Sequence, residues 1–147
     1  MEEWDFIAAL KSEYLGNLDY RLSPADFVAL EGELVLAGYG LEETEGLQYC
    51  RNISRLDLSD NRITNLYDLQ ELLHLEELLL SHNRIEELEY LKELRNLEIL
   101  DLSFNEIEDI SVLLKLDNLK FVDLRGNPMR QSGLIKELQR RGVVVVI

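Results

Sequence analysis

Leu56-Asp57-Leu58-Ser59-Asp60-Asn61 returns as Leu78-Leu79-Leu80-Ser81-His82-Asn83, then as Leu100-Asp101-Leu102-Ser103-Phe104-Asn105 and Val122-Asp123-Leu124-Arg125-Gly126-Asn127. The interval is 22 residues each time. A period of this length means that one small unit is copied and stacked, because such a unit cannot bury its own apolar face. Following the period outward adds Leu34-Val35-Leu36 before and Val144-Val145-Val146 after, so six strand segments are expected from 34, 56, 78, 100, 122 and 144.

Each position of the unit has a physical reading. Leu56 and Leu58 are two apart, so on a strand both point to one face, the core. Asn61 follows where the chain turns inward, and its amide can satisfy backbone groups that leave the sheet ladder. Stacked Asn61, Asn83, Asn105 and Asn127 are expected to form a buried ladder, while Tyr39 takes that place under an N-terminal cap. Apolar residues then recur every three positions: Leu66, Leu69, Leu72 and Leu75; Leu88, Leu91, Leu94 and Leu97; Ile110, Leu113, Leu116 and Leu119. A spacing of three fits the 3₁₀ period better than 3.6, which predicts short 3₁₀ turns on the side opposite the strands.

A stack of this kind needs covered ends. Asp5 to Leu15 has amphipathic helical spacing, and Ser23-Pro24 opens a second helix with Ser at the N-cap and Pro at the first helical position. Trp4 is expected to pack the first helix onto the sheet. At the other end Ser132 to Arg141 carries Leu134, Ile135 and Leu138 at helical spacing and stops before Gly142, leading into a last parallel edge strand at Val143–Ile147.

The unbroken L-x-x-L-x-L-x-x-N-x-L of Leu75 to Ile85 and Leu97 to Ile107 is identified as the leucine-rich repeat. The N-terminal lid joined to Leu34-x-Leu36-x-Gly38-x-Gly40-Leu41, then Glu45-Gly46-Leu47-Gln48-Tyr49-Cys50-x-Asn52-Ile53, resembles the capped repeat domain of bacterial internalin-like proteins. The ending Leu138-x-x-Arg141-Gly142-Val143-x-Val145 resembles the C-terminal closure of bacterial repeat proteins. The 22-residue period is also similar to that of the cytosolic repeat subunit regulating eukaryotic protein phosphatase-1. The resemblance implies an α/β right-handed leucine-rich-repeat solenoid: a parallel sheet of about six short strands, with a 3₁₀-type convex side. The expected single domain divides into an N-terminal helical cap (1–33), repeats (34–130) and a C-terminal helix-strand cap (131–147). It also implies protein binding, either as a free module, as a regulatory subunit of a cytosolic enzyme such as a phosphatase, or as a structural domain of a larger bacterial surface protein.

Composition narrows the partner. With 29 Asp and Glu against 15 Lys and Arg, the net charge of −14 disfavours a nucleic-acid backbone, whose affinity rests on Lys and Arg. The longest apolar run, Val143 to Ile147, has five residues and cannot cross a bilayer. The N-terminus has no basic region followed by an apolar one, so a cytoplasmic location is expected, or a secreted or surface one if a leader has been removed. The single cysteine, Cys50, excludes an intramolecular disulfide and falls in the layer of Leu72, Leu94 and Leu116. Residues 1–50 hold eleven acids and two bases, whereas 122–147 hold two acids and five bases. That polarity suits partner steering or weak head-to-tail association of an otherwise monomeric chain, or simply solvated ends.

Between the core leucines the strands turn other residues outward, onto the concave face. The residues before each motif are Glu33, Arg55, Glu77, Ile99 and Phe121, and those between the leucines are Val35, Asp57, Leu79, Asp101 and Asp123. The next outward position holds Ala37, Ser59, Ser81, Ser103 and Arg125, and the position before the ladder Asn holds Gly38, Asp60, His82, Phe104 and Gly126. Leu79, His82, Ile99, Phe104 and Phe121 are apolar or aromatic where the fold does not ask for it, and Arg55, Asp57, Glu77, Asp101, Asp123 and Arg125 would rim them. Such anatomy fits a recognition patch. Strand preference alone, or cover by a cap loop, would also account for Ile99 and Phe121.

Catalytic chemistry finds little purchase. Ser81 and His82 beside Asp101 mimic a triad, but Ser59, Ser81 and Ser103 recur with the repeat, and neighbours on a strand face opposite ways. His74 and His82 lack zinc-site spacing, and the acidic turns around Glu86 and Glu106 lack a calcium loop. No catalytic residue, cofactor or metal is assigned. The expected function is binding of another protein, with no nucleic acid and no membrane insertion.

Overall fold

The computed structural model describes residues 5–10 and 23–147. Six strands form one parallel sheet in chain order: β1 (Glu31–Val35), β2 (Asn52–Asp57), β3 (Glu77–Leu79), β4 (Ile99–Asp101), β5 (Phe121–Asp123) and β6 (Val144–Val146). The 22-residue period is the register itself, since Leu56, Leu78, Leu100 and Val122 are successive cross-strand partners, all fully buried. Each short strand begins one residue ahead of the repeated motif. β1 and β2 begin earlier still, with an irregular register at Gly32/Glu33 where the chain enters from the N-terminal end.

The return path is made of 3₁₀ turns at Leu47–Tyr49, Tyr67–Leu69, Glu89–Leu91 and Ser111–Lys115. They arise because leucines three apart all face inward: Leu66, Leu69, Leu72 and Leu75 have no exposure, and the two later sets are buried as well. Cys50 completes the same layer, and burial pushes its thiol up to about 12.

Asparagine closes each turn. The Asn83 amide donates to the carbonyls of Leu58 (2.9 Å) and Leu80 (3.1 Å), while its oxygen accepts the Ile63 N–H (3.0 Å). Asn61, Asn105 and Asn127 repeat this pattern, each serving its own turn and the preceding one. Tyr39 does not enter the ladder and is exposed; its own N–H and that of Leu41 donate to Asn61 instead. A second, shorter ladder runs ahead of the strands, where Asn96 and Asn118 donate to the carbonyls of Leu73 (2.8 Å) and Arg95 (2.7 Å).

At the N-terminal end α1 spans Asp5–Leu10 and α2 spans Pro24–Val28. The Asp26 carboxylate accepts from both the N–H and the hydroxyl of Ser23, fixing the start of α2. Trp4 and the expected continuation of the first helix to Leu15 lie outside the described residues. At the C-terminal end α3 (Ser132–Arg140) delivers the chain to β6 with an offset of 23 rather than 22, so Phe121 pairs with Val144 and Val122 with Val145. A shift of one residue exchanges the faces of a strand. Val143 and Val145 therefore lie against the core while Val144 is 59% exposed, which corrects the period-based alignment of Val144 with the inward leucines.

Candidate functional site

Three of the four expected outward positions form columns across the sheet; in the fourth Ser103 is buried, and only Arg125 is exposed. The first runs Glu33, Arg55, Glu77, Ile99, Phe121 and Val144 in consecutive register. Its first half is ionic: the Arg55 guanidinium bridges Glu33 and Glu77 (Nε–Oε1 3.2 Å) and approaches Asp57 (3.9 Å). Its second half is apolar, with Ile99 and Val144 exposed and Phe121 half-buried between them. Neighbouring strands lie about 4.8 Å apart, so these three form a continuous stripe.

The second column is Asp57, Leu79, Asp101 and Asp123. Its carboxylates serve their own chain. Asp57 accepts the Ser59 N–H (3.0 Å), Asp101 accepts the N–H and hydroxyl of Ser103 (2.9 and 2.6 Å), and Asp123 accepts the Arg125 N–H (3.1 Å). Each caps the backbone two residues on, as Asp commonly does where a strand ends. Asp123 is in addition clasped by the Arg125 guanidinium (Nη2–Oδ2 2.6 Å), which holds its carboxyl below the usual range despite burial. Leu79 stands where the other copies place this cap, and it is half-buried.

The third column lies beyond the strand ends. Asp60, His82 and Phe104 have φ of 56°, 55° and 56°, in line with Gly38 (76°) and Gly126 (72°). Left-handed backbone costs a non-glycine residue about 1–2 kcal/mol and is a rare setting for a bulky one. It is held here by ladder hydrogen bonds that continue past the strands, from His82 N–H to Ser103 and from Phe104 N–H to Arg125. Because the backbone repeats, the side chains line up. The His82 and Phe104 rings stack at 4.5 Å and 13°. On the other side the Phe104 ring covers Gly126, where a Cβ would meet Cδ1 at 2.5 Å. Phe104 remains 46% exposed.

Thus the residues singled out from the sequence separate into an Arg55–Glu77–Asp57 ionic cluster, an Ile99–Phe121 stripe, a His82–Phe104 ring pair and an Asp123–Arg125 clasp, with Leu79 and Asp101 between. Val144 belongs to the stripe, a membership that the offset of β6 conceals from the repeat count. Gly126 belongs to the ring pair as its seat. Ser81 and His82 lie past the end of β3, in the turn, so alternation along a strand is not what separates them from Asp101. No three His, Cys, Asp or Glu side chains among the described residues are grouped so as to hold a metal ion. None of the described helices is long and apolar enough to cross a membrane.

Residues 73–115 and 95–136 match the family described as leucine rich repeats (2 copies), and residues 49–66 match a further leucine rich repeat family. No curated protein matches the sequence. Among solved structures, an internalin (inlF) from Listeria monocytogenes superposes with a TM-score of 0.85 at 23% identity, over 97% of this chain and 42% of that one. Internalin C2 (inlC2) from the same species gives 0.68 at 26% identity, over 97% and 72%. The functional domain of Listeria monocytogenes InlJ, which includes a cysteine ladder, gives 0.65 at 15%, over 86% and 37%. The chain thus spans less than half the length of inlF, and at such identities the inlF and InlJ likenesses speak to fold alone. Repeat pattern, sheet register and these superpositions together make the chain a leucine-rich-repeat protein whose repeat domain resembles those of the internalins.

Proposed function

We propose that this chain is a non-catalytic, protein-binding module that seats its partner on the open, concave face of the sheet. Ile99, Phe104 and Phe121 are its anchors, Leu79, His82 and Val144 extend them, and Arg55, Asp57, Glu77, Asp101, Asp123 and Arg125 form the rim. The observation that carries this reading is Phe104. It adopts a backbone conformation that disfavours it, adds nothing to the leucine core, and leaves nearly half its surface in solvent. The turn requires positive φ, which glycine would supply without strain, so a large, half-exposed aromatic retained there points to function. Exposed apolar residues next to charged ones are the usual composition of a recognition surface, and aromatic anchors carry much of the energy of such surfaces. The likeness to internalin repeat domains supports the same class.

Affinity purification with the wild-type chain, in parallel with an Ile99→Ser/Phe104→Gly/Phe121→Ser variant, tests the reading by quantitative mass spectrometry. A partner enriched by the wild type and lost by the variant is the expected result. Equal recovery by both would remove the open face from consideration.

A further inference from the structure

We propose that the segment received on this face is cationic as well as apolar: a stretch of partner chain in which Lys or Arg adjoins an aliphatic or aromatic residue. The proposal rests on the open face being the recognition surface, and it concerns what that surface selects. Its outward columns carry six carboxylates, Glu33, Asp57, Asp60, Glu77, Asp101 and Asp123, against the guanidinium of Arg55 and that of Arg125 beside them. Both guanidiniums are already engaged. Arg55 is held among Glu33, Asp57 and Glu77, and Arg125 is closed on both oxygens of Asp123. A carboxylate arriving from a partner would therefore find a surplus of four like charges and no open cation.

An arriving cation meets the reverse situation. Asp60 is exposed, makes no ion pair among the described residues, and occupies the turn beside His82 in the left-handed column. Among the described residues no cation is hydrogen-bonded to Asp101, although the charge of Arg125 reaches it; its contacts with Ser103 both use Oδ1. It sits at the end of β4, between Ile99 and Phe104 in the same repeat. Asp60 thus stands at the His82 end of the ring pair, while Asp101, in the same repeat as Ile99 and Phe104, lies between the pair and the apolar stripe. A Lys or Arg can lay its aliphatic stem along Ile99 and the Phe104 ring edge and bring its charge to Asp101, and a basic residue arriving beside His82 can reach Asp60. The chain's overall −14 adds long-range attraction of the same sign.

Panning a display library of short random peptides against the full chain tests this, with two variants for comparison. Asp60→Asn/Asp101→Asn removes the open charges; at 101 the amide oxygen still accepts from Ser103. Ile99→Ser/Phe121→Ser removes the stripe. Expected are peptides enriched in Lys or Arg beside apolar residues, which weaken about fivefold or more on the amide variant, weaken further with salt, and lose binding on the stripe variant. Peptides that need the stripe but show no basic enrichment and bind the amide variant as they bind the wild type would overturn the charge selection and leave the recognition face standing. Peptides indifferent to both variants would overturn both. Enrichment of acidic peptides, or of none, would also refute the proposal.

Discussion

The imidazole of His82 and the ring of Phe104 lie stacked at 4.5 Å, although each residue holds its backbone in the left-handed region. The stack and the strain have one origin. The turn that ends each repeat unit needs positive φ, and translation along the stack brings equivalent side chains face to face.

Glycine at 104 relieves the backbone but forfeits the ring; alanine forfeits the ring and keeps the strain. Phe104→Gly is therefore expected to be more stable than Phe104→Ala by about 1 kcal/mol, the reverse of the usual order of these residues within regular elements. Urea denaturation of the two variants measures the difference directly. Equal stability would mean that left-handed strain does not govern this turn.

Gly126 makes the complementary case. A Cβ there meets the Phe104 ring at 2.5 Å, whereas a Cβ at Gly38, in the same column with similar φ, meets nothing within 4 Å. Gly126→Ala is expected to cost about 1–3 kcal/mol more than Gly38→Ala, the usual range for overpacking. In a Phe104→Gly background the excess is expected to vanish. A double-mutant cycle with no coupling would show that the ring does not rest on Gly126.

Each ladder asparagine satisfies several backbone groups at once. Asn83→Ala leaves the Ile63 N–H without its acceptor and removes one of the two side-chain donors to each of the Leu58 and Leu80 carbonyls, which Asn61 and Asn105 still serve. A total loss of about 1–3 kcal/mol is expected, most of it from the unpaired Ile63 N–H and read in the midpoint of denaturant unfolding. Asn127 is less buried, so water can replace its bonds, and Asn127→Ala is expected to cost less.

Asp123 supplies a pH signature. Its carboxyl is held below the ordinary value by hydrogen bonds from Arg125, against the opposing effect of burial. The unfolded chain therefore binds this proton more readily than the folded one. The contribution is complete above the unfolded value of about 3.9 and is lost as pH falls toward the lower folded value. Asp123→Asn is expected to destabilise by about 1–3 kcal/mol at neutral pH, and the gap from wild type should narrow below pH about 4. A pH-independent gap would assign the effect to packing rather than to the ionised carboxylate.

The repeat is legible because each strand hides residues at a period of two and each return path at a period of three, so Leu78, Leu80, Leu91 and Asn83 declare their places without reference to distant parts of the chain. Legibility ends where a helix interrupts the count. α3 has no reason to consume a whole number of repeat steps, and the resulting offset of 23 turns Val144 outward to join Ile99 and Phe121. The Asp column misleads for another reason. Asp57, Asp101 and Asp123 look like free rim charges until the strand is seen to end there, which gives each carboxylate a backbone N–H two residues on. The left-handed column does leave a trace, because Gly38 and Gly126 share register with Asp60, His82 and Phe104. Two glycines at one repeat position mark a backbone that side chains resist.

The recognition face stands or falls on calorimetric titration of a captured partner into Ile99→Ala and Phe121→Ala, with Tyr67→Ala as a control on the exposed 3₁₀ side. Each of the first two is expected to weaken binding by about 1–3 kcal/mol without unfolding the chain, and the control to leave it unchanged. Wild-type affinity in both face variants, or loss confined to Tyr67→Ala, would move the binding surface away from the sheet.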